Sequence, residues 1–303
     1  MKEKFTLNDV ANKHLIHPSK INKKDSLGIP NYGEWYIETK PNQNAREEMI
    51  KIHEFIKDVL ASNKVAEFQG ENKRLQFINY GRTQLVYVLT INENRQYTLL
   101  VTQPAANKGI GKKEFSNLNT LSQKSNLVIK PLYYFQDEKR ELYVTPYFYQ
   151  SRCIGIETRD WGMWVPEPTY HFRKYSTQER NTINSAMVSA LVTLYDAERK
   201  VGLSECRLDG GDFMLEKGFE SENLDIENIL KSMKLIAARN LVEMPLENYI
   251  SQMRRELLGK EEENIILGKI LKCPMTEKEV DEGIQYGLEL RTKSKENKKQ
   301  MTL

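Results

Sequence analysis

The stretch "KRLQFINYGRTQLVYVLTINENRQYTLLVTQ", Lys73 to Gln103, decides the fold. It contains three runs, "RLQFINYG", "TQLVYVLTIN" and "RQYTLLVTQ", each rich in β-branched and aromatic residues. Gly81 and the segment "NENR" part them. Side chains of this kind fit a pleated, half-buried surface, and glycine and asparagine suit the turns between. The three runs therefore predict consecutive antiparallel strands.

Downstream, "GKKEFSNLNTLSQ" places Phe115, Leu118 and Leu121 at helical spacing. "LVIKPLYYFQDEKRELYVTPYF" then reads as two strands around a turn at Gln136 to Lys139. Residues 73 to 150 are thus expected to form one antiparallel sheet, with a helix at 112 to 124 on one face. Upstream, "NAREEMIKIHEFIKDVLAS", residues 44 to 62, carries Met49, Ile52, Ile56, Val59 and Leu60 on one stripe. That periodicity predicts an amphipathic helix, with Asn44 as its N-cap.

Beyond the sheet the pattern turns helical. Ser176 and Glu179 fit a capping box. Ile183, Ala186, Met187, Ala190, Leu191, Leu194 and Ala197 come next in register, so a helix is expected over 177 to 200, ending near Gly202. Past Asn228 the chain reads as helices over 228–243, 246–272 and 276–290. The expected organisation is an N-terminal extension (1–45), a sheet-rich region with its leading helix (46–150), a helical region (151–290) and a disordered basic tail (291–303).

Composition excludes several classes. The chain has 303 residues, 39% apolar and 29% charged, with 45 basic and 42 acidic residues for a net charge of +3. Such a balance does not suit a general nucleic-acid coat. No apolar run reaches the ~18 residues of a membrane span, and "MKEKFTLNDVANK" lacks the apolar core of a signal peptide. Cys153, Cys206 and Cys273 are odd in number and widely spaced, without a CxxC pair. They read as reduced thiols of a cytoplasmic protein, not as a zinc site or a disulfide frame. The four histidines, His14, His17, His53 and His171, form no metal-ligand pair.

In its order of elements, the region from 73 to 230 resembles the protein-kinase-like superfamily, nearest its aminoglycoside and choline phosphotransferase branch. The resemblance implies an α+β, two-lobed kinase-like fold, a small antiparallel sheet lobe plus a helical lobe. "NYGRTQLVYVL" is similar to the hairpin that covers nucleotide phosphates, where Gly81 would let backbone N–H groups approach. "VTPYF", with Tyr147, resembles the linker that receives an adenine ring. Glu114 matches the glutamate of the helix after the third strand. In the family, that glutamate pairs with a strand cation which holds the phosphates. The matching strand position here is Leu100, or Thr102 in the next register, and neither is a cation. Lys108, Lys112 and Lys113 stand near in sequence.

"SECRLDGGDFMLEKG", Ser204 to Gly218, resembles the family's catalytic loop. The alignment puts Asp212 and Asp225 at the positions that hold Mg²⁺, and hard oxygen ligands suit that ion. It puts Arg207 where the catalytic aspartate belongs, and a guanidinium cannot act as a base. Asp209 could take that role in a rebuilt loop. Gly210-Gly211-Asp212 also looks like part of a GGDEF cyclase signature, but Phe213 replaces its glutamate, and a helix stands where that site needs a strand. A turn in which Asp212 bonds its own backbone is an equal alternative.

These residues lead to a degenerate kinase-like protein. It would bind a protein partner or a nucleotide (ATP with Mg²⁺) in a cleft near Gly81, Glu114, Tyr147, Asp212 and Asp225, with little phosphoryl transfer. An active phosphotransferase on a small hydroxylated molecule, with Asp209 as base, is the alternative. A non-catalytic interaction protein is a third reading. "TLNDVANKHLIHPSKINK", Thr6 to Lys23, is similar to the helix-turn-helix of LacI-type repressors, though Leu15 replaces the turn glycine. A DNA-binding regulator is therefore kept, while a short helix packed on the main domain is the expected structure. Trp161, Met163 and Trp164 mark an aromatic insertion that suits either a binding surface or the roof of the helical region.

Overall fold

A computed structural model describes residues 43–62, 65–70, 73–80, 84–102, 108–147, 152–153, 177–204, 213–215, 225–258 and 275–300. The fold is mixed α/β with a small antiparallel sheet. Two compact units divide the chain, one holding residues 1–115, 130–149 and 161–171, the other 116–129, 150–160 and 172–303.

The first unit is built on the three strand-forming runs that begin at Lys73. Strands β1 (Lys73–Tyr80), β2 (Gln84–Ile91) and β3 (Arg95–Thr102) form an antiparallel meander. β4 (Tyr133–Gln136) and β5 (Glu141–Pro146) complete a five-stranded sheet in the order β1-β2-β3-β5-β4. The turn between β2 and β3 carries Asn92 and Glu93 at φ 49° and 64°. Asparagine visits this region readily, whereas glutamate does so at a cost.

One face of the sheet meets helix α1 (Gln43–Ala61). Ile52, Phe55, Ile56, Val59 and Leu60 of α1 are buried in one cluster with Leu85, Tyr87, Leu89, Ile91, Leu99, Val101, Leu142 and Val144. These strand positions alternate as a period of two requires. The helix starts at Gln43, so Asn44 lies inside it and is not its cap. His53 sits within this apolar layer, 2% exposed, with Nε2 3.1 Å from the Tyr87 hydroxyl.

A short 3₁₀ turn, Ala66–Phe68, comes after α1 and drives Phe68 into the same core. Its ring is met by those of Tyr97, Tyr133 and Phe135. The Tyr133 hydroxyl hydrogen-bonds the Glu67 carboxylate, which raises the tyrosine pKa to about 12 and lowers that of the glutamate.

Helix α2 (Ile110–Ser122) comes after β3, close to the span expected, and belongs to the first unit as far as Phe115. In the second unit the central element is α3 (Thr177–Leu194). It is buried on almost every side from Ser185 to Val192, as for a helix at the centre of a core. α3 ends at Leu194, short of the expected 200, because Asp196 organises a turn. Its Oδ1 accepts from the N–H groups of Glu198 and Arg199, and its backbone pairs with Val201. Ala197 therefore sits in the turn, not on the helix stripe.

Burial acts to raise the Asp196 pKa, but Lys124 and the two backbone donors outweigh it and hold the carboxyl below its usual 3.8. A depressed folded pKa adds stability above the unfolded value, and that stability is lost as pH falls through the folded value. Asp196→Asn is expected to be less stable than the native chain at pH 7. The gap should close as pH falls below about 3.8. Thermal denaturation at pH 7 and pH 3 measures it, and an equal gap at both would remove the ion pair as its cause.

The region expected as one helix over 228–243 is instead a short helix, α4 (Ile226–Ser232), and then strands. After β6 (Arg152–Cys153), β7 (Val201–Leu203) and β8 (Phe213–Leu215) come β9 (Met233–Leu235) and β10 (Leu241–Glu243). β9 pairs antiparallel with β8, and β10 with β7. Met233 and Leu235 are buried alternately around Lys234, a period of two inside a helix-like composition.

α5 (Leu246–Leu258) is next, and α6 (Glu277–Gln300) closes the described chain. α6 runs beyond position 290, into residues expected to be disordered. Lysine, arginine, glutamate and glutamine, which dominate there, are good helix formers. Thr276 and Glu279 form a reciprocal capping box at its start. α6 packs along α3 through small residues, with Ser185 Oγ donating to the Glu279 carbonyl and Ser189 Oγ to that of Gly283.

Candidate functional site

The residue of the sequence-derived site that the structure describes most fully is Glu114. It projects from α2, is 1% exposed, and accepts a hydrogen bond from Gln84 Nε2 at 2.5 Å. Gln84 Nε2 also lies 3.1 Å from the Tyr143 hydroxyl, which donates to Gln84 Oε1 at 3.4 Å. One partner of Glu114 is thus Gln84, on β2. At Leu100, the β3 position matched to the family's cation, the cross-strand neighbours are Val86 and Tyr143.

A second buried carboxylate lies at the head of the same helix. Glu141, 7% exposed on β5, accepts from the Gly111 N–H at 3.0 Å and from the Tyr134 hydroxyl at 2.8 Å. Burial first, then the bond to Glu141, pushes the Tyr134 hydroxyl far above the usual tyrosine pKa. The negative oxygen sits at the positive end of the helix, where it offsets unpaired N–H groups. Gly111 is needed for this approach, since a Cβ there would lie 2.5 Å from Thr102 Oγ1. The Phe115 ring completes the seam, 5.6 Å from Tyr134 and 6.4 Å from Tyr143.

The other candidates divide. Tyr147 lies just past β5, partly exposed, and its N–H donates to the Gln96 carbonyl at 3.3 Å. Asp225 is the N-cap of α4, with Oδ1 accepting from the Asn228 N–H and Oδ2 from Asn228 Nδ2. Both carboxylate oxygens are thus engaged by a structural role. Lys112 and Lys113 are exposed on α2, and Lys108 Nζ donates to the Glu138 carbonyl. Gly81, Arg207, Asp209 and Asp212 lie outside the described residues, as do the 6–23 segment, the Trp161–Trp164 insertion and Ser176. Among the described residues, no group of three histidines, cysteines or carboxylates could hold a metal ion.

Sequence reasoning missed Gln84, Glu141 and Tyr143. One signal was present. Gln84 heads a largely apolar strand, "QLVYVLTI", on the face it shares with Val86 and Val88. A lone amide on a buried strand face needs a partner.

The segment after β9 also bears on chemistry. It reads Ile236, Ala237, Ala238, with no oxygen-bearing side chain. Asn117 Nδ2 of α2 donates to the Ala238 and Arg239 carbonyls at 2.8 and 3.3 Å. No protein-family model matches this chain, and no curated protein matches it.

Proposed function

We propose that this chain is a degenerate kinase-like protein that acts by binding, with little or no phosphoryl transfer. The observation that carries the reading is the paired hairpin β8–β9 together with the residues just past β9. In the superfamily, a metal-holding aspartate lies on the strand turn after the catalytic loop. Here the strand that pairs with β8 is β9, and the residues just past it are Ile236-Ala237-Ala238. Apolar side chains cannot ligate a hard cation. Asp225 precedes β9 and spends its carboxylate on a helix cap.

Two further features agree. The order β1-β2-β3-β5-β4, with a helix between β3 and β4 that carries a buried glutamate, is what the kinase-like reading requires. Leu100 supplies no cation on β3. Phosphoryl transfer depends on positioning and charge neutralisation, so loss of the cation, the metal ligand and the base at Arg207 removes its main supports. Ile236, Ala237 and Ala238 offer Mg²⁺ no side-chain ligand and the Asp225 carboxylate is engaged in its cap, so Mg²⁺-ATP is not expected to act as a catalytic cofactor. The ligand of this reading is a protein partner, or a nucleotide held without metal chemistry. No described helix is long and apolar enough to cross a membrane.

Purified protein with Mg²⁺-ATP is expected to show no turnover above background. Each missing factor of ten in rate is about 1.4 kcal/mol of barrier. Robust turnover, lost on Asp209→Asn, would reverse the proposal and leave an active small-molecule kinase.

A further inference from the structure

We draw no further inference here: the strongest candidate, the sheet face opposite α1 where Val86 and Val88 of β2 lie beside Leu100 and Thr98 of β3, carries nothing because nothing in the structure shows what covers it.

Discussion

Phe68→Ala is expected to destabilise the first unit by about 4 kcal/mol. Phe68 is fully buried, and three aromatic rings close on it, Tyr97 at 5.5 Å, Tyr133 at 5.7 Å and Phe135 at 6.4 Å. Removing the ring deletes apolar burial and leaves a cavity that these neighbours fill only in part. The backbone around it has little freedom to collapse. The Phe68 N–H is bonded to the Val65 carbonyl, and Arg95 Nη2 donates to the Gln69 carbonyl at 2.7 Å. Phe68→Leu preserves most of the volume and should cost about 1.5 kcal/mol. Urea denaturation monitored by near-ultraviolet circular dichroism measures both. Equal losses for the two variants would show that cavity volume is not what decides.

Gly283→Ala is expected to cost the second unit about 3 kcal/mol. A Cβ at this position would lie 2.5 Å from the Ser185 carbonyl oxygen and 2.5 Å from Val188 Cβ. The first of these is backbone and cannot rotate aside, so α6 must move away from α3. That movement strains the bonds from Ser185 and Ser189 to the α6 carbonyls, both from hydroxyls of fully buried residues. Alanine's better helix propensity returns about 1 kcal/mol, which the cost above already includes. The midpoint of thermal unfolding should fall by about 6–12 °C. Gly287→Ala should cost less, because its Cβ would lie 3.0 Å from the backbone carbonyl of Ser189 and 2.7 Å from Val192 Cβ, both looser than the 2.5 Å contacts at Gly283. A fall under about 2 °C for Gly283→Ala would show that the two helices part easily.

The pair of glycines shows where sequence reading stops. Gly283 and Gly287 stand in a helical pattern where local propensity argues against them. Their reason lies on another helix, nearly a hundred positions away in the chain. The same holds for Glu114. Its place on α2 is legible from the spacing of Phe115, Leu118 and Leu121. Its partner is not, because Gln84 reaches it only once β2 has paired with β3 and the helix has settled on that face.

What the sequence determined by itself was local and periodic. The strands over 73–103, the hairpin over 133–146, the apolar stripe of α1 and the start of α3 follow from side chains at spacings of two or about 3.6. Each of these elements buries one face against a layer that needs only to be apolar. Tertiary structure decided the rest. Met233–Leu235 has too few residues for its period to be read, and it is a strand because β8 offers it an edge. α3 stops at Leu194 because Asp196 finds Lys124 and two backbone donors. Asp225 resembles a metal ligand in the one-dimensional alignment, but it is a cap once the helix at Ile226 forms beside it. A carboxylate has the same chemistry in each setting, and only the groups folded against it determine whether it holds a helix, a cation or a neighbouring side chain.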